Sequence, residues 1–304
     1  MCKEPQTLLQ AAALSEDEAR EYLESIRWPG GPVCPHCGDI NCKALKGKST
    51  RPGVYKCYAC RKPFTVTVGT VMHRSHITLR QWVLAFYSIC SHKKGVSALQ
   101  LQRDLGLGSY KSAWHLAHRI REAMKQSPMQ ELLNGVVEAD ETYVGGKSRK
   151  MMPGRGSERK TPVIAVIERD GKAISKPVDK VDGKTLKGNL QANVAPSAII
   201  HTDTWSGYRG TDKLFAGHLT VNHGHGEYAR DGVHVNQCES YFALLKRGVH
   251  GTFHHISRKH MARYCNEFSF RWNNRKITDG ERTKDALLGF AGKQLQYNDL
   301  IGDE

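Results

Sequence analysis

Two pairs of cysteines constrain this chain more than any other feature: Cys34-Pro-His-Cys37 and Cys57-Tyr-Ala-Cys60, with 19 residues between the pairs. Each C-x2-C pair folds as a knuckle, and two knuckles bring four soft thiolates to the corners of a tetrahedron, the geometry Zn²⁺ prefers in structural sites. A closed four-cysteine site leaves no position open for water. The spacing therefore predicts structural Zn²⁺ in a small ribbon whose role is to present a surface, for DNA in a chain this basic. His36 and Cys42 offer substitute ligands that two complete knuckles make unnecessary. Cys2, Cys90, Cys238 and Cys265 stand alone and read as ordinary buried or partly buried thiols.

Around this module the patterning changes three times. Ser15 and Glu18 form a capping-box pattern ahead of Ala19, Tyr22, Leu23 and Ile26 at helical spacing, and Pro29, Gly30 and Gly31 end that helix. The alternating run FTVTVGTV, which follows the second cysteine pair, suits small β-hairpins. From Thr78 to about Gln126 the period turns helical, with Leu79, Trp82, Val83, Phe86 and Tyr87 on one face, then a glycine break and SYKSAWHLAHRIREAM. Two helices about a short turn fit a helix-turn-helix, whose second helix carries Tyr110, Lys111, His115, His118 and Arg119; any three-helix bundle gives the same pattern. After Asn134 strands take over: GVVEADETYVGG, TPVIAVIERDGKAI, a run to Val181, and SAIIHTDTW, followed by helices at NQCESYFALLKR and SRKHMARYCNEFSFRW. The fold class is α/β (α+β mixed). The expected division is an N-terminal helix over 1–29, a zinc ribbon over 30–70, a helical region over 71–130, a mixed domain over 133–280 and an uninformative tail over 281–304.

The chain of 304 residues carries 45 Lys and Arg against 30 Asp and Glu, a net charge of +15, which points to a polyanionic partner held through phosphate neutralisation. Six of those cations, Lys147, Arg149, Lys150, Arg155, Arg159 and Lys160, lie in one loop between the first two strands, either as a solvated linker or as a seat for phosphates. No apolar run approaches the roughly 18 residues that span a bilayer, and the polar N-terminus lacks a secretory layout, so no membrane partner is expected and the protein should stay inside the cell.

Three carboxylates hold positions that call for a reason. Alternation puts Glu138, Asp140 and Thr142 on one face of a strand and Glu141 on the other. Asp203 follows an apolar run at a strand end, where side chains emerge into a cleft. Glu239 shares a helix face with Asn236, Ala243 and Lys246, while Phe242 and Leu245 point elsewhere. Two strands and a helix can converge these acids on two divalent cations about 4 Å apart. Mg²⁺, or Mn²⁺, suits hard carboxylate oxygens.

The spacing Asp140, Asp203, 35 residues, Glu239 resembles that of the DDE transposases and retroviral integrases, which share a ribonuclease-H-like fold. More narrowly, CPHC and CYAC, then VEADETYVGGK, HTDTWSGY, and HVNQCESYFALLKRGVHGTFHHISRKHMARYCNEFSFRWNNR, in that order, resemble the ISXO-type insertion-sequence transposases from about residue 28 to 277. The resemblance implies a ribonuclease-H-like DDE domain in which Asp140, Asp203 and Glu239 bind metal and Lys246, with Arg247 beside it, lies close to the DNA backbone. Some relatives carry Asn as the third signature residue, which leaves Asn236 as an alternative; a carboxylate binds a divalent cation better than an amide and favours Glu239. The implied function is a bacterial, cytoplasmic, nucleoid-associated transposase. It would bind the inverted repeats of an insertion sequence as a homo-oligomer and cut and join double-stranded DNA at transposon ends and target. The alternatives are a non-catalytic zinc-ribbon DNA-binding regulator and a ribonuclease-H-like nuclease that does not join. Arg271 and Arg275 beside Trp272 serve either phosphates or a helix end, and His223, His225, His254 and His255 read as loop or packing residues.

Overall fold

The computed structural model describes residues 4–47, 49–125, 132–145, 160–222 and 229–302. Two short helices open the chain, α1 (Leu8–Ala13) and α2 (Glu16–Arg27), and α2 carries the capping box read from Ser15 and Glu18, with Ala19, Tyr22, Leu23 and Ile26 buried. The ribbon follows as a three-stranded antiparallel sheet, β1 (Cys42–Ala44), β2 (Tyr55–Cys57) and β3 (Pro63–Phe64). Its apolar centre is aromatic. Trp28 meets Tyr55 and Phe64 edge-on at 5.5 and 5.7 Å between ring centroids, and the Tyr55 hydroxyl donates to Glu24 of α2 at 2.8 Å. The run FTVTVGTV does not form the expected hairpin. Beyond Phe64 it winds into turns, because Thr70 Oγ1 donates to the Thr67 carbonyl at 2.7 Å and the Val68 amide to the Thr65 carbonyl at 3.1 Å. Hydroxyls that capture nearby backbone groups override an alternating pattern.

Helices α3 (Leu79–Ser91), α4 (Ala98–Asp104) and α5 (Tyr110–Ala123) come next. The mixed domain contains β4 (Val136–Val144), β5 (Thr161–Glu168), β6 (Ala173–Pro177), α6 (Gly183–Asn193), β7 (Ile199–Asp203), β8 (Gly217–Val221), α7 (Asn236–Gly248) and α8 (Met261–Asn273). The stretch TPVIAVIERDGKAI, read as one strand, is two: Asp170 at φ 59° and Gly171 turn the chain between β5 and β6. Asp170 itself supplies the positive φ of this turn, a conformation Asp tolerates better than most residues. The sheet order is β6-β5-β4-β7-β8, antiparallel across the first three strands and parallel from β4 to β8. Both faces are covered. Val163, Ala165 and Ile167 pack with Tyr241 and Leu245 of α7 and Phe268 of α8, while Val137, Ala139, Ile164 and Val166 pack with Leu186 and Leu190 of α6.

Residues 281–304, expected as a tail, contribute to α9 (Asp279–Leu288) and α10 (Tyr297–Ile301), and 276–304 cluster with 1–125 as one compact unit; 126–275 form the other. The C-terminal segment closes helix ends that lack partners of their own. Lys293 donates to the carbonyls of Ala123 and Lys125 at 3.0 and 2.6 Å, and Arg282 to that of Cys90 at 3.1 Å. Gly289 is required there, since a Cβ would fall 2.2 Å from the Ala123 carbonyl oxygen.

Inside α8, Glu267 and Arg271 form a fully buried ion pair one turn apart. Breaking such a pair strands a charge in low dielectric. Glu267→Ala is expected to cost about 3–5 kcal/mol in urea-induced unfolding, whereas an apolar replacement of both partners costs far less.

Candidate active site and metal centre

The cysteine cluster is the tighter of the two sites. Cys34 Sγ lies 3.6 Å from Cys60 Sγ and Cys37 Sγ 3.6 Å from Cys57 Sγ, and all four sulfurs fall within 4.8 Å of one another. Four thiolates about 2.3 Å from a tetrahedral zinc stand about 3.8 Å apart, so this sulfur set fits the ion. Amides aim at the sulfurs. The His36 N–H donates to Cys34 Sγ at 3.4 Å, and backbone donors led by Cys60 hold the Cys57 thiol down to about 7. Cys42 Sγ instead turns to the Asp39 carbonyl at 3.4 Å, outside the four-sulfur set. Cys90, Cys238 and Cys265 are buried, as expected of lone thiols.

The acidic site is built on β4. Thr142 and Val144 turn with Glu138 and Asp140 towards α7, and Glu141 turns with Val137 and Ala139 towards α6. Parallel pairing joins Val136 to Ile199, Val137 to Ile200 and Glu138 to His201, a constant offset of 63 positions that also separates Asp140 from Asp203. Carried two residues past its last rung, that register directs both acids to the same face just beyond the β4–β7 ladder, Asp140 in the middle of β4 and Asp203 at the end of β7. There β4 continues along β5 as far as Val144, and β7 along β8 as far as Asp203. Past Glu138 and His201 the two strands are no longer paired with each other, so both acids lie beyond the last shared rung. α7 covers the same face, anchored by buried Cys238, Tyr241, Phe242 and Leu245, and brings exposed Glu239 in its first turn.

Electrostatics tie these groups together. The Asp140 carboxyl, half-buried and hydrogen-bonded to the Glu141 N–H at 2.8 Å, is pushed up to about 8, first by burial and then by the charges of Glu141, Asp203 and Glu239. Glu141, which alternation turns to the opposite face, stands within electrostatic reach of Asp203. Its carboxyl is raised to about 7 by burial and accepts from Tyr208 Oη at 2.9 Å. Asp203 accepts from the Trp205 N–H at 3.0 Å. Asp140, Asp203 and Glu239 are not drawn within 4.8 Å of one another as the cysteines are; like charges repel. Asn236 is exposed at the start of α7, Lys246 half-buried in its last turn and Arg247 exposed beside it.

Sequence reasoning missed the second layer. Glu138 is fully buried and bound by Arg169, His234 and the Gln237 amide. His201 is held down to about 4, by burial and then by the charge of Arg169, so its ring is neutral and Nδ1 accepts from Arg169 Nη2 at 3.3 Å. An acid in mid-strand was the only sign of it.

The basic residues divide. Lys147, Arg149, Lys150, Arg155 and Arg159, with His223 and His225, lie outside the described residues; Lys160 is half-buried immediately before β5. Arg119, expected on a DNA-reading face, is spent inside its own unit, donating to the carbonyls of Leu295 at 3.0 Å and His73 at 2.9 Å. His118 is fully buried, and the Lys111 ammonium sits 4.0 Å above the Tyr297 ring. The C-terminal segment, invisible to periodicity, covers that side of α5. Arg271 is buried on Glu267, and exposed Arg275 donates to the Trp272 carbonyl at 2.8 Å, a helix-end contact.

Such a cysteine ribbon joined to an acid-bearing α/β sheet is the make-up of a transposase. The ISXO2-like transposase domain matches residues 132–273, and the transposase zinc-ribbon domain matches 14–63. An uncharacterized protein in transposable element ISH50 of Halobacterium salinarum is 30% identical over 276 residues, 85% of this chain and 91% of that protein. An uncharacterized transposase-like protein of Haemophilus influenzae is 27% identical over 124 residues, 41% of this chain and 93% of its own length. The chain belongs to the ISXO2-like transposase family. No helix among the described residues is long and apolar enough to cross a membrane.

Zinc is expected to be stoichiometric with the chain by elemental analysis. Cys57→Ser should abolish retention of the ion on dialysis, and chelation should collapse the ribbon's near-ultraviolet signal, since metal binding supplies its folding energy.

Proposed function

We propose that this transposase binds the terminal inverted repeats of an insertion sequence and catalyses metal-dependent strand cleavage followed by strand transfer, with Asp140, Asp203 and Glu239 as the metal-binding triad. The observation that carries the reading is the shared offset of 63: the β4–β7 register directs Asp140 and Asp203 to one face, and the charge of Glu239 on α7 acts on Asp140. The strand order and this placement support a ribonuclease-H-like catalytic domain.

The donor set fits a hard divalent cation, Mg²⁺ or Mn²⁺: the charges of Glu141, Asp203 and Glu239 all act on Asp140, and among the described residues no Lys or Arg pairs with Asp140 or Asp203. Two such ions activate an attacking oxygen and stabilise the leaving oxygen of a phosphodiester. The residues of the chain supply the rest. β4 and β7 hold their acids on rigid strands, Asn236 stands one turn before Glu239 to orient water, and Lys246 and Arg247 extend the same helix towards the phosphate backbone. Water first frees a 3′ hydroxyl, which then attacks target DNA in line, with no covalent protein intermediate. The ribbon and α3–α5 hold the element end, helped by the cations of 147–160 and by Lys111, and two ends handled together call for a homo-oligomer. A nucleoid-associated place in the bacterial cytoplasm fits the +15 charge.

The test uses labelled element ends and Mg²⁺. Asp140→Asn or Asp203→Asn is expected to lower cleavage about a thousandfold, roughly 4 kcal/mol of transition-state stabilisation, while end binding by mobility shift is retained. Glu239→Gln should match that loss and Asn236→Ala fall short of it; the reverse order would move the third ligand to Asn236. Strand transfer that survives Asp203→Asn sinks the assignment.

A further inference from the structure

What holds the three candidate ligands in register can be read one layer beneath them, and it rests on the transposase chemistry proposed above. Glu138, His201 and Gln237 each stand two residues before a member of the triad, on β4, β7 and α7 respectively. Arg169, in the turn that leaves β5, reaches two of the three. Its Nη2 lies 3.2 Å from Glu138 Oε1 and 3.3 Å from His201 Nδ1, its Nη1 donates to the Gly232 carbonyl at 3.0 Å, and its own N–H donates to the Val136 carbonyl of β4 at 2.9 Å. Glu138 completes the link, because its Oε2 accepts from the Gln237 N–H of α7 at 2.8 Å. His234 Nδ1 stands 3.1 Å from Glu138 Oε1, and a proton on that nitrogen donates there; the 3.4 Å approach of Arg169 to the same atom is then a contact, not a second bond.

The helix needs this. Val235 occupies the N-cap of α7 and offers no side-chain acceptor, so the first amides have no cap from their own segment. A carboxylate reaching up from β4 takes that place and sets negative charge against the positive end of the helix dipole. A buried acid is stable only if paired, and Arg169 pairs it. Glu239 lies in the turn so held.

We propose that Glu138 and Arg169 are positioning residues that lock the first turn of α7 against β4 and β7, and so set the spacing of Asp140, Asp203 and Glu239 for a divalent cation.

The full-length chain, Arg169→Met and Glu138→Gln are titrated with Mn²⁺ in the absence of DNA, with free ion read by electron paramagnetic resonance. Loss of a ligand's supporting partner is expected to weaken Mn²⁺ binding about 10- to 100-fold in both variants. In the metal-free chain the amides of Gln237 and Cys238 should exchange faster, and cleavage should lose kcat with KM for end DNA unchanged. Glu138→Gln keeps the size of the side chain and an oxygen for the Gln237 amide, so it serves even where Arg169→Met fails to fold. Wild-type Mn²⁺ affinity in the folded variants overturns the positioning role. Mn²⁺ binding that Asp140→Asn leaves untouched overturns the two-metal reading itself, and this assignment with it.

Discussion

Burial of ionisable groups along a single central strand governs the mixed domain. β4 is flanked by β5 and β7 and covered by helices on both faces, yet it carries Glu138, Asp140 and Glu141. Taking a carboxylate out of water costs several kcal/mol unless partners replace the lost hydration. The strand solves this in two ways two residues apart on the same face. Glu138 is given a guanidinium, an imidazole and a helix amide. Asp140 has the amide of its neighbour and three like charges around it. The first arrangement is complete as it stands, and the second gains from a cation. That contrast separates an acid supplied with cationic and amide partners from one hemmed in by like charge.

In the other unit the limiting quantity is apolar area. A ribbon whose strands are three, three and two residues long cannot enclose a core sufficient to stand alone. The Trp28, Tyr55 and Phe64 rings and the underside of α2 supply part of what is missing, and the four-sulfur cluster supplies the remainder as metal-coupled folding energy. Helices α3 and α5 meet the complementary difficulty, unsatisfied carbonyls at their ends, and it is met by Arg282 and Lys293 from the far end of the chain.

What the sequence made legible follows from the range of each interaction. The cysteine knuckles, the capping box at Ser15, the faces of β4 and the stripe of α7 are encoded within a few residues, and all were readable. The Arg119 hydrogen bonds, the α9–α10 packing and the Glu138–Arg169 network join residues from about 30 to more than 170 positions apart, and no local pattern signals them. FTVTVGTV shows the opposite hazard: the period was right for a strand, but Thr70 offered the backbone a nearer partner while the Thr65 and Thr67 hydroxyls bonded each other. Arg119 shows a related difficulty. A cation on a helix surface reads as exposed until the segment that covers it is known.

The distance in sequence between Asp140 and Asp203 is itself a product of this geometry. The chain between them forms the β5–β6 hairpin and α6, whose connecting loops can lengthen at small entropic cost. What cannot change is the pairing of β4 with β7. A slip of one residue would turn Asp203 to the α6 face, and with it His201 away from Arg169, because side chains alternate along a strand. Register is fixed where a buried set makes every slip costly, and here that set includes Val137 and Ile200 on one face and the Glu138, Arg169 and His201 network on the other. The polar layer thus does for this part of the sheet what apolar packing does elsewhere: it admits one alignment of the two strands, the one that brings both aspartates to the same face.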